Sequence, residues 1–115
     1  MKNITIYHNP RCTKSRETLA LLKDHGIAPA IVEYLKDPPT KGEVKSIMKM
    51  LDEDAAAIVR TKEPAYKESG LTAKSSADDI ARAIAKDPIL LERPIVISGK
   101  KAAIGRPPEK VLDIL

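Results

Sequence analysis

The apolar pattern at the start of this chain changes period twice, and that change constrains the fold more than any other feature of the sequence. Ile4-Thr5-Ile6-Tyr7 is short and β-branched and ends at His8-Asn9-Pro10, which reads as a strand running into a loop. From about Thr13 to His25, Leu19, Leu22 and their neighbours Ala20 and Leu21 recur at helical spacing, with Gly26 as a C-terminal stop. The run from Ala30 to Leu35 contains Ile31 and Val32 and closes at Asp37-Pro38-Pro39, so it reads as a second strand. Strand, helix, strand implies a parallel pair joined by a right-handed crossover. Cys12 falls at the junction between the first strand and the helix.

Thr40 followed by Glu43 has the spacing of a capping box, and Val44, Ile47, Met48 and Leu51 then trace one helix face. Asp52 or Asp54 can cap a short helix through Ala55 to Val59, and Ser76 with Asp79 can begin one carrying Ile80, Ala83 and Ile84. Glu63-Pro64 and Ser69-Gly70 read as breaks between them. After Asp87-Pro88, Ile95-Val96-Ile97 and Lys101 to Ile104 flank Ser98-Gly99-Lys100, the pattern of an antiparallel hairpin. Gly105-Arg106-Pro107-Pro108 then leads into a last helix with Val111, Leu112 and Leu115. The order is βαβ, helices, ββα. With the helical middle, about residues 40–88, taken as an insertion, the remainder has the strand order of a thioredoxin-like α/β fold with a mixed sheet. The length of 115 residues suits one domain spanning 1–115.

Composition narrows the function classes. A hydrophobic fraction of 43% beside 31% charged residues describes a folded chain, and the 3% aromatic content, all Tyr, argues against reading single-stranded nucleic acid by base stacking. The formal net charge of +4 suits anions such as oxyanions or glutathione, and equally a solvated basic surface. One cysteine allows neither an internal disulfide nor a four-thiolate zinc site, and the two histidines lie too far apart for a metal-ligand pair, so no metal is expected. With no signal peptide and no apolar span, the expectation is a cytoplasmic protein with a reduced thiol and no membrane partner.

A thiol is a good nucleophile only as thiolate, so something must lower the pKa of Cys12 if it does chemistry. At a helix start, unpaired backbone N–H groups and the positive end of the macrodipole favour the anion. Arg11, Lys14 and Arg16 add charge within a turn, and His8 lies where the loop can fold it back to pair with the thiolate or orient its surroundings. A buried inert cysteine beside a surface histidine is the alternative. Cys12-Thr13-Lys14-Ser15 places Ser where a dithiol oxidoreductase has its second cysteine, so any redox cycle passes through an intermolecular mixed disulfide, most simply with glutathione. The same helix start attracts oxyanions, and Arg60, Arg93 and Arg106, with Ser15, are candidates to complete a substrate site, although each arginine also fits a solvated surface.

Together, Tyr7-His8-Asn9-Pro10-Arg11-Cys12-Thr13-Lys14-Ser15-Arg16 resembles the active-site loop of the glutaredoxin-linked ArsC family. Further landmarks in family order are Tyr34-Leu35 with Pro38-Pro39-Thr40, Val59-Arg60, Lys62-Glu63 with Tyr66, the stretch from Asp87 to Val96, and Gly105-Arg106-Pro107. The chain is most similar to the short ArsC-related members. The resemblance implies a thioredoxin-like fold with a helical insertion, a nucleophile at Cys12 whose pKa is lowered with help from His8, an oxyanion pocket using Arg60, Arg93 and Arg106, and a cis Arg93-Pro94 bond. It implies an arsenate reductase that binds no cofactor: Cys12 attacks arsenate, glutathione adds to the thiol-bound arsenic as co-substrate, and glutaredoxin completes reduction to arsenite. Two rivals share these residues. One is a glutathione-dependent thiol oxidoreductase with another substrate. The other is an Spx-like regulator that binds RNA polymerase, although such proteins carry a Cys-x-x-Cys switch that Ser15 removes here.

Overall fold

In the computed structural model, residues 3–51 and 53–115 are described, and they form two compact units, one from 3–37 with 93–115 and the other from 38–51 with 53–92. The first unit holds a four-stranded sheet in the order β2-β1-β3-β4, built from β1 (Ile4–Tyr7), β2 (Ala30–Val32), β3 (Ile95–Ser98) and β4 (Lys101–Ile104). β1 runs parallel to β2 and antiparallel to β3, and β3 pairs antiparallel with β4, so the sheet is mixed and the fold is thioredoxin-like α/β, as the sequence pattern implies. Helix α1 (Thr13–Asp24) connects the parallel pair. The core on its face combines Ile6, Leu22, Val96 and Val111, all fully buried, with Leu19, Ile27 and Ile114 packed around them. Val111 and Ile114 come from a 3-10 helix over Pro108–Ile114. Gly99, at a φ of 61°, opens the two-residue turn between β3 and β4, a conformation that a β-carbon opposes.

The second unit is helical: α2 (Lys41–Met50), α3 (Pro64–Ser69) and α4 (Ala77–Lys86), with 3-10 helices at Ala55–Ile58 and Pro88–Leu90. Its buried apolar side chains include Val44, Ile47, Ile58, Ile80, Ile84, Leu90 and Leu91. The capping box forms as expected, the Glu43 amide donating to Thr40 Oγ1 at 3.1 Å and the Thr40 amide to Glu43 Oε1 at 3.0 Å. Thr40→Ala is expected to cost about 1 kcal/mol of unfolding free energy, read as a lower urea midpoint at unchanged slope. Asp78 on α4 takes Lys41 and Lys45 of α2 at 2.8 and 3.2 Å. A short antiparallel bridge pairs Val59 with Leu91, flanked by Arg60 N–H to the Leu90 carbonyl at 2.8 Å and Glu92 N–H to the Ile58 carbonyl at 2.7 Å.

Four local expectations change. β2 ends at Val32 rather than Leu35, because the amides of Lys36 and Asp37 turn back to the Glu33 carbonyl, leaving Tyr34 buried in a turn. Glu63-Pro64 is a helix start: Pro64 occupies the first turn of α3, where its missing N–H costs nothing, and Gly70 ends that helix at a φ of 79°. The last helix is 3-10 rather than α. Asp54 occupies the N-cap position of the 3-10 helix at Ala55–Ile58 without a side-chain capping bond, and Asp52 lies outside the described residues. No helix among the described residues is long and apolar enough to cross a membrane.

Candidate active site

Cys12 is the N-cap residue of α1, with extended backbone at φ −93° and ψ 124°, so the helix begins directly after it. The turn that delivers it is made by Asn9, whose carbonyl accepts from the Cys12 amide at 3.0 Å and whose Oδ1 accepts from the Arg11 amide at 3.0 Å. Asn9 is itself buried and donates its amide to Ser15 Oγ at 3.0 Å, which ties the loop to the first turn of the helix. The half-buried sulfur is then surrounded by donors. Arg106 Nη2 lies 3.5 Å from Cys12 Sγ, and Arg106 Nε is fixed on the Arg93 carbonyl at 2.8 Å.

Burial works against the thiolate here, but it is outweighed by the Ser15 backbone N–H, a hydrogen bond from the Arg93 side chain, and the charges of Arg106 and Arg93, so the Cys12 pKa falls below its ordinary value. The cations that act on the sulfur therefore come from the far end of the chain. Arg11, Lys14 and Arg16, which the sequence places nearest, are exposed; Lys14 pairs with Glu17 at 3.6 Å and Arg16 reaches Thr13 Oγ1 at 3.3 Å.

His8 is buried and its Nδ1 makes a 2.6 Å hydrogen bond with Ser15 Oγ. The ring thus bonds the residue whose amide holds the sulfur. Burial lowers the His8 pKa, with Glu33 pulling it up and Lys23 pushing it down, so the ring is neutral at pH 7. Because its folded pKa lies below its unfolded one, the unfolded chain takes up the proton first. The stability contribution is complete above the unfolded value and is lost as pH falls through the folded value. The expected result is a melting temperature that declines as pH falls below about 7, with a shallower decline in His8→Gln, measured by circular dichroism.

The structure thus brings Cys12, His8, Ser15, Arg93 and Arg106 together within one unit. Arg60 belongs to the other unit, where Nε donates to Glu63 Oε1 at 3.1 Å and Nη1 to Glu92 Oε1 at 2.9 Å. The Arg93–Pro94 peptide is cis, as the resemblance implies, and so is Arg106–Pro107. Asn9 was missed as a site residue; its signal is the Asn-Pro pair directly after the strand, a turn initiator.

The family model for the ArsC family matches residues 7–114. An arsenate reductase of Haemophilus influenzae is 49% identical over 98% of this chain and 99% of its own length. The uncharacterized protein YfgD of Escherichia coli K12 is 46% identical over 99% of this chain and 98% of its own length. Among solved structures, an arsenate reductase from Vibrio cholerae superposes with a TM-score of 0.93 at 46% identity, covering 99% of this chain and 98% of that one.

Proposed function

Because the chain belongs to the ArsC family, we propose that it is a cytoplasmic arsenate reductase in which Cys12 is the nucleophile and external thiols supply the electrons. The observation that carries this reading is the sulfur itself. It is a thiolate-prone cysteine at a helix N-terminus, held by the Ser15 amide and by two guanidinium groups that can also receive a tetrahedral oxyanion. The sites that stabilise the sulfur anion before attack are in place to take up the oxyanion charge afterwards, so little reorganisation is needed.

The steps balance without a second cysteine in this chain. Cys12 Sγ attacks arsenic(V), forming an S–As bond while one arsenate hydroxyl takes up a further proton and leaves as water. Glutathione thiolate adds in the same way and releases a second water. A glutaredoxin thiolate then attacks the glutathione sulfur; the S–As bond breaks, its electron pair passes to arsenic, and arsenic(III) and a glutaredoxin–glutathione disulfide result. Hydrolysis of the remaining S–As bond frees arsenite and returns the Cys12 thiol. Ser15, Arg93 and Arg106 would bind the arsenate oxygens, and the family resemblance supports Arg60 as a third arginine for them. No bound cofactor enters this scheme, and glutathione acts as co-substrate.

The test is NADPH oxidation coupled through glutathione reductase, with arsenate, glutathione and glutaredoxin omitted in turn. Oxidation that requires all three is the expected outcome. Loss of the glutaredoxin requirement would overturn the proposed electron donor, and oxidation indifferent to arsenate would overturn the substrate and leave a glutathione-linked thiol enzyme.

A further inference from the structure

We propose that Gly105 and Thr18 are positioning residues whose close contact sets the reach of Arg106 to Cys12; the proposal rests on the reading that the Cys12 thiolate is the working nucleophile. Gly105 is buried between α1 and Pro94, and its own amide donates to the Pro94 carbonyl at 2.9 Å. A β-carbon at this position would lie 2.6 Å from Thr18 Oγ1, 2.8 Å from Pro94 Cγ and 3.2 Å from Thr18 Cγ2, well inside the 3.4 Å at which ordinary contact begins. Its φ is not in the left-handed range, so glycine is needed here for space rather than for backbone conformation.

Neither wall can step aside cheaply. Thr18 is fully buried on α1, and its Oγ1 donates to the Lys14 carbonyl at 2.8 Å, which fixes its rotamer. The Pro94 ring is rigid and buried. Directly after Gly105 the chain turns tightly, the Arg106 amide donating to the Ile104 carbonyl at 2.9 Å, so the position of Arg106 follows that of Gly105. Thr18 and Cys12 are on one rigid element, since Cys12 caps the helix that carries Thr18. How closely Gly105 approaches α1 therefore sets how far Arg106 Nη2, at 3.5 Å, stands from the sulfur.

The experiment is the pH profile of Cys12 alkylation by iodoacetamide in the full chain, a readout that needs no arsenate. Gly105→Ala, confirmed folded by circular dichroism, is expected to move the profile to higher pH and to slow alkylation about threefold or more on its acid limb, while the rate on the alkaline plateau stays at the parent value. Adding Thr18→Ala, which removes two of the three overlaps, is expected to bring the profile part of the way back. Should Gly105→Ala fail to fold, Thr18→Val replaces the hydroxyl facing Gly105 with a bulkier methyl and must move the profile the same way by less. A folded Gly105→Ala, or Thr18→Val in its place, with the parent profile overturns the proposal. A parent enzyme without arsenate turnover but with the shifted Gly105→Ala profile overturns the substrate and leaves this contact standing.

Discussion

Cys12→Ser is expected to abolish arsenate-dependent turnover, with a loss of about a thousandfold or more in kcat/KM. The reason lies in what the site stabilises. Its Ser15 amide, Arg93 and Arg106 are arranged around a thiol whose pKa they pull below its ordinary value, and a serine hydroxyl stays protonated in that range whatever surrounds it. The substitution is small and the position only half-buried, so folding should be nearly unaffected. An unchanged melting temperature in the same sample therefore separates loss of chemistry from loss of structure. Because this is the chain's single cysteine, the variant also removes every thiol, and no second sulfur can substitute.

Arg106→Ala is expected to lower kcat/KM for arsenate about a hundredfold, and the pH dependence reveals two roles. Arg106 is one of the groups that depress the Cys12 pKa, so its removal raises that pKa and leaves less thiolate at any pH below it. For alkylation by an uncharged reagent, the deficit should vanish once the pH is high enough to ionise the thiol fully. For arsenate turnover it should persist, because the guanidinium is also needed for the oxyanion. Arg106→Lys restores the charge but not the fork that spans the Arg93 carbonyl and the sulfur, and it should recover only part of either rate. Equal deficits at high pH in both assays would assign Arg106 a structural role instead.

Elements whose signals are local were legible in the sequence. The extended tetrad of β1, the helical period of α1, the capping box of α2 and the glycine turn between β3 and β4 each appear where the pattern places them. Local signals failed where one residue has two uses. Pro64 both breaks helices and starts them, and Pro107-Pro108 leads into a tighter 3-10 turn rather than an α-helix. The site divides the same way. Cys12 at a helix start follows from the strand-to-helix pattern, and Ser15 and His8 lie within a few residues of it. The convergence of Arg93 and Arg106 does not follow, since sequence separation hides it and the charges nearest in sequence prove to be exposed. Family resemblance supplied those arginines. It offered Gly105 only as part of the Gly105-Arg106-Pro107 landmark and did not offer Thr18, and the close approach of the two is visible only in the folded chain, where the residue after β4 meets α1.

The most direct single measurement is arsenite itself, quantified after incubating the full chain with arsenate, glutathione and glutaredoxin, beside a Cys12→Ser sample at the same concentration. Arsenite accumulating over many turnovers with the parent chain, and at the enzyme-free rate with Cys12→Ser, is the expected result. Equal arsenite from both samples, or none above background from a folded parent chain whose Cys12 alkylates as a thiolate at neutral pH, would contradict arsenate reduction by Cys12.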